Sequence, residues 1–219
     1  MTGTVIQTSH TLKNFSDFYD WVIPDIPGYI PGMIDMALRD AAIEFCEKAL
    51  IWKETLDPIE ITSGVDQYDL SLPAKSVLAD VLEASLVNGW LDPINTVGVR
   101  NSGGQGRGGA PSGYLFYDDT IVTIDPAPTS NDTLNLIVAL KPSRASDKLP
   151  SFLLERWIDA VAAGAKSRLM RMQKKAWTNP ELAGVNESTF RDQVATAGMV
   201  AAKNRTRMPM RTRYVHGIE

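Results

Sequence analysis

One cysteine and two histidines are the whole supply, in this 219-residue chain, of the side chains that most often attack, shuttle protons or hold metals. The lone Cys46 excludes an intrachain disulfide. His10 and His216 lie within a dozen residues of the two ends, and neither has a partner at metal-ligand spacing. No apolar run approaches the roughly 20 residues needed to cross a bilayer. The start, Met1-Thr-Gly-Thr-Val-Ile-Gln-Thr, has neither the basic opening nor the apolar core of a signal peptide. These absences argue against a membrane protein and a secreted disulfide scaffold, and no internal repeat suggests a solenoid.

What is present is the composition of a folded, water-exposed domain: 44% hydrophobic and 22% charged residues, in a length that fits one core. The net charge of −4 hides an asymmetry. Residues 1–150 hold 10 basic and 20 acidic side chains, whereas residues 151–219 hold 12 and 6. Such a division predicts oriented contacts with other copies of the chain or with a charged partner.

Periodicity predicts an α+β fold. A short helix is expected within Thr11–Trp21, followed by an extended connector through Pro24, Pro27 and Pro31. Ile34, Leu38, Ala41, Phe45, Ala49 and Trp52 mark a helix over about Met33–Glu54, stopped near Pro58. Cys46 sits at the edge of that stripe and reads as a small core residue. From residue 59 to 141 the period becomes two, predicting antiparallel hairpins. One turn is expected at Asn88-Gly89 and another at Asp118-Asp119, with Leu134, Leu136, Val138 and Leu140 on one face of the last strand.

Helix returns after Leu149-Pro150 with Leu153, Trp157, Val161, Ala165, Leu169, Met172 and Ala176. Within it, Ala162-Ala-Gly-Ala165 would let a neighbouring helix approach closely. Asn179-Pro180 is a cap and first-turn proline for a final helix carrying Phe190, Val194, Ala197 and Ala201. The expected organisation is therefore a helical bundle from 31–58 and 142–204, built from an N-terminal helix and two C-terminal helices. Into it is inserted a β-module, 59–141, with a mobile glycine-rich loop, 101–113. Residues 1–30 form an extension and 205–219 a basic arm.

Little of this is catalytic. The pairs Asp66/Asp69 and Asp118/Asp119 fall in turn-like segments, where aspartate is favoured for backbone reasons. Gly104, Gly106 and Gly109 fit the dinucleotide spacing, but Ala110-Pro111-Ser112-Gly113 follows instead of a helix, so the match is formal. No enzyme activity, cofactor or metal is expected. The basic residues say more. Lys203, Arg205, Arg207, Arg211 and Arg213 occupy eleven residues without an acid, and Tyr214 follows. They are candidate partner-binding residues of an arm that meets carboxylates, with a solvated tail as the plainer reading. An alternative is a nucleic-acid-binding protein that uses this tail and the cluster Lys166, Arg168, Arg171, Lys174 and Lys175.

The order of the pieces carries a resemblance. Arg39-Asp40-Ala-Ala-Ile-Glu44-Phe45-Cys46 is followed by Gly-Val-Asp-Gln-Tyr68-Asp-Leu70, Val87-Asn88-Gly89, Gly113-Tyr114, Ile124-Asp-Pro126 and Leu140-Lys141-Pro142-Ser143. Leu149-Pro150, Trp157, Ala163-Gly164-Ala165 and Trp177 complete it. Across roughly residues 33–204 the chain resembles the head-to-tail adaptor (connector, or neck) proteins of tailed bacteriophages. The resemblance implies a virion structural protein assembled in the host cytoplasm, forming a ring of twelve copies beneath the portal protein. Such a ring extends the DNA channel, which DNA crosses without specific binding, and provides the platform for a tail or tail-completion protein. It also implies that a carboxy-terminal arm docks on the portal, for which Lys203–Tyr214 is the counterpart.

Overall fold

A computed structural model describes residues 11–87, 89–94 and 110–203. The fold is α+β, and its organising element is a long strand. β10 (Asp132–Pro142) pairs along one edge with β5 (Ser76–Leu86) and along the other with β3 (Ile59–Ile61) and then β2 (Lys53–Thr55), all antiparallel. β6 (Gly89–Trp90) extends this sheet beyond β5. Leu134, Leu136, Val138 and Leu140 are at most 1% exposed, because alternation along β10 puts all four on the core face, while the register shifts leave the extra residues, Ala79 and Leu82, on β5.

A second sheet has the order β4 (Gln67–Asp69), β9 (Ile121–Asp125), β8 (Gly113–Asp118) and β7 (Asp92–Pro93). The β8–β9 hairpin closes with Asp118 facing Ile121, so its turn is Asp119-Thr120, one residue later than expected, and Asp118 Oδ1 accepts from both the backbone N–H and the hydroxyl of Thr120. β7 and β8 run parallel, so this sheet is mixed, not purely antiparallel. Gly113 permits the pairing: a Cβ there would stand 2.8 Å from Ile94 Cγ2 and 3.1 Å from the Asp92 carbonyl. The β5–β6 connection differs from expectation by one residue. Leu86 faces Gly89, so the hairpin closes through 87–88, and Gly89 is already strand with no left-handed torsion. Asn88 itself lies outside the described residues.

Three long helices pack on one another: α1 (Pro31–Ala49), α3 (Ile158–Met170) and α4 (Pro180–Ala202). α1 ends earlier than its apolar stripe predicts. Leu50 adopts the left-handed conformation (φ 49°, ψ 38°) and its N–H bonds the Cys46 carbonyl, which turns the chain into β2. Trp52 keeps its place in the core, at 4% exposure, from outside the helix. The predicted continuous helix after Pro150 is two: α2 (Ser151–Arg156) breaks at Trp157 before α3 begins, and α3 stops at Met170. Met172 and Ala176 therefore lie in the turns that lead to α4. Asn179 caps α4 as expected, its side chain accepting the Leu182 N–H at 3.0 Å, with Pro180 in the first turn.

Residues 11–30 are not a separate extension. β1 (Leu12–Asn14) pairs antiparallel with β11 (Lys148–Pro150), and 3₁₀ segments at Phe15–Trp21 and Ile23–Asp25 replace the predicted helix and connector. Phe18, Val22 and Ile26 are fully buried, because the prolines bend this segment back over α1 instead of extending it. The Tyr19 hydroxyl donates to Asp35 Oδ1 at 2.7 Å, and Arg39 lies over the Phe15 ring at 5.4 Å. Burial, with the Asp35 carboxylate beside it, pushes the Tyr19 hydroxyl up to about 12.

Candidate functional site

The predicted arm begins where α4 ends. Lys203 closes the helix, its N–H donating to the Met199 carbonyl at 3.2 Å. One turn back, the Ala201 carbonyl accepts from Lys53 Nζ of β2 at 2.7 Å. A cation thus caps the negative end of the α4 dipole from a different element and pins that end to the sheet. Partial burial lowers the pKa of this lysine. Arg205, Arg207, Arg211, Arg213 and Tyr214 lie outside the described residues, as does most of the glycine-rich loop, through residue 109.

The second basic cluster is partly drawn into the fold: Lys166 and Arg168 are mostly covered, whereas Arg171, Lys174 and Lys175 stay exposed. Lys166 pairs with Asp25 at 2.5 Å, Arg168 pairs with Glu44, and Arg171 lies 3.6 Å from Glu187, which also binds Arg191 at 2.7 Å. Lys174 sits in a turn with left-handed torsion, and Lys175 lies over the Trp177 ring at 5.9 Å. Two of these pairs cross the division at residue 150. On the other side of the helices, Arg144 bonds Asp40 and Lys141 bonds Glu47, so α1's acids meet cations from two directions. Two of the bases after residue 150 are therefore matched to acids before it inside one molecule.

Glu44 is the centre of that arrangement. Burial opposes its ionisation, but hydrogen bonds and charge from Lys48 and Arg168 override this and hold its pKa below the usual carboxylate value. Arg168 also donates to the Gly164 carbonyl at 2.7 Å and lies over the Phe190 ring at 5.5 Å. It ties α1, α3 and α4 together with one planar group, a task for which lysine lacks the geometry.

Cys46 is fully buried, and that burial pushes its thiol well above the ordinary range. Among the described residues, no group of three His, Cys, Asp or Glu side chains is placed to hold a metal ion. Asp66 precedes the short strand β4, its carbonyl accepting the Ile124 N–H, whereas Asp69 is that strand's last residue and faces Ile121, not the expected turn. No described helix is long and apolar enough to cross a membrane.

The surface also carries exposed apolar side chains in several places, among them Trp21, Tyr29, Ile30 and Met36 before and within α1. Val87 and Trp90, at the tip of the β5–β6 hairpin, are 71% and 68% exposed. Leu182, Val185 and Met199 are exposed along α4 and fall within an arc of roughly 100° at helical spacing. Sequence reasoning passed over both. The helix stripe was there to find, since these residues lie off the Phe190–Ala197–Ala201 line that was assigned to the core. The chain matches no family model and no curated protein.

Proposed function

We propose that this chain is a structural protein of the tailed-bacteriophage neck, a head-to-tail adaptor that forms a ring of twelve copies beneath the portal. In this reading α1, α3 and α4 are the helical bundle, residues 59–141 are a β-module inserted into it, and the carboxy-terminal arm docks on the portal. The ring extends the DNA channel and presents a platform to the tail protein below.

The observation that carries the reading is the way the chain closes on itself. α1 precedes β2 to β11, α3 and α4 follow them, and the three meet around Phe45, Trp157 and Phe190, with ring centroids 5.5 Å and 6.4 Å from Phe45. An insertion between packed helices leaves the hairpin tip with Trp90 free to reach a neighbour. A closed ring needs two different patches per subunit that meet head to tail. The hairpin tip and the outer stripe of α4 are two such patches. The basic cluster near α3 counts against the nucleic-acid alternative, because Lys166, Arg168 and Arg171 are engaged by Asp25, Glu44 and Glu187.

The test is a mass measurement of the free chain and of its mixture with portal. A complex carrying twelve copies supports the ring, and no association refutes the adaptor assignment. Deleting residues 203–219 should abolish co-sedimentation with portal; undiminished binding removes the arm from docking. In a gel shift at low salt, duplex DNA should bind weakly. Tight binding that falls steeply with salt would favour the nucleic-acid reading instead.

A further inference from the structure

A cleft of about 320 Å³ opens beside β2. Leu12 of β1, Leu72 and Pro73 give it apolar walls, while Glu54 and Asp57 add carboxylates. Glu54 is only 7% exposed, next to the 4% exposed Trp52. Its carboxylate is placed to accept from the Trp52 indole N–H, yet burial still raises its pKa. None of the ion pairs among the described residues uses Glu54. A carboxylate has about four lone-pair sites, and one indole N–H leaves most of them open. A buried carboxylate with apolar walls suits a cation on an aliphatic stem, and guanidinium matches it in shape as well as charge.

The position of the chain's end says which cation. Lys53 Nζ holds the Ala201 carbonyl at 2.7 Å, so α4 finishes against β2. Lys53 and Glu54 are consecutive in that strand, and their side chains leave it on opposite faces. β2 lies at the edge of its sheet. A segment leaving Lys203 therefore has only one strand edge to cross before it faces Glu54. An extended chain gains about 3.3 Å per residue, so Arg205 and Arg207 come at most about 7 and 13 Å along the chain after Lys203. Residues 203–218 contain no acid that would compete with Glu54.

We propose that the Glu54 cleft takes an arginine side chain, Arg205 or Arg207, from the same chain's carboxy-terminal segment. The arm is then held against the body of the free protein, and a partner with a stronger acidic surface must draw it away. This holding site concerns the unassembled chain and stands whether or not the neck reading holds.

The test uses the full chain. Limited trypsin digestion reads the open fraction of the arm when reclosing is fast. At low salt, cleavage after Arg205–Arg213 should be roughly fivefold slower in the wild type than in Glu54→Gln, and the difference should close at high salt. In the double variant Arg205→Gln, Arg207→Gln, sites remain at Arg211 and Arg213, and these should be cut at the faster rate. That variant leaves the folded body untouched, so it decides the matter even if Glu54→Gln folds poorly. Equal cleavage after Arg211 and Arg213 in the wild type and the double variant overturns the proposal. So does protection that grows with protein concentration, because the arm would then occupy another copy.

Discussion

Replacing Gly164 with alanine is the sharpest test of how the three helices meet. On propensity alone the change should help, since glycine inside a helix costs roughly 0.5–1 kcal/mol relative to alanine. The packing reverses the sign. A Cβ at this position would stand 2.8 Å from Phe190 Cδ2, 2.9 Å from Cε2 and 3.0 Å from the Ala41 Cβ. Ordinary contact begins near 3.4 Å, so one methyl needs about half an ångström from two sides at once. Phe190 is 2% exposed and leans on Phe45, while Ala41 belongs to the backbone face of α1, so neither yields without moving a helix. Overpacking of this kind costs about 1–3 kcal/mol. The net expectation for Gly164→Ala is therefore a loss of about 1–2 kcal/mol, or roughly 2–8 °C in Tm for a domain of this size. Urea titration followed by circular dichroism measures it directly. Combining the change with Phe190→Leu should cost less than the two changes summed, because the second makes room for the first. A Gly164→Ala chain more stable than the wild type would refute the close approach of α1, α3 and α4 at this point.

The remaining expectations use the same packing and charge arguments. Glu44 has a depressed pKa, so its ion pairs contribute stability above the ordinary glutamate value and lose it as pH falls through the lower, folded value. Glu44→Gln should cost about 1 kcal/mol at pH 7, after allowance for its one-third exposure, and should flatten the acid limb of a pH-stability curve below about pH 4.5; an unchanged acid limb would remove Glu44 from that role. Asn179→Ala deletes the side-chain acceptor of the Leu182 N–H and should lower stability by about 1 kcal/mol, read from the same urea titrations. Cys46 should resist thiol reagents in the native protein and react fully once unfolded, and rapid native labelling would contradict its burial.

How much of this was legible in the sequence depended on whether the signal was local. The β10 stripe, the β8–β9 hairpin and the Asn179-Pro180 cap follow from neighbours a few residues apart, and the first and last formed where their patterns placed them, the hairpin turn one residue later. So did the small-residue stretch around Gly164. The errors arose where a distant partner decided. Trp52 continues the apolar spacing of α1, but Leu50 turns left-handed and the residues beyond it join β10, 80 or more positions away. Trp157 fits a helical stripe just as well, yet its backbone breaks the helix while its ring packs on Phe45. Residues 11–30 look like an appendage because their apolar residues are interrupted by prolines. Their core role depends on β11 and α1, which no local window contains.

Charge gave the most misleading sequence signal and, once placed, one of the more useful structural ones. An excess of acids before residue 150 and of bases after it reads as two opposed surfaces. In the fold, Lys166 and Arg168 instead reach back to Asp25 and Glu44, so part of the complementarity operates between helices of one subunit. Ion pairs at such partly exposed positions add little stability each, but they fix which helix face meets which. The stretch beyond Lys203 holds four arginines and no acid before Glu219, and it starts from a helix end held by Lys53. Electrostatic contacts that this stretch makes with an acidic partner are open to screening by salt. Raising salt should accordingly weaken arm-dependent binding while leaving the fold's stability nearly unchanged. Equal salt sensitivity in both would show that the body's ion pairs do more than orient the helices.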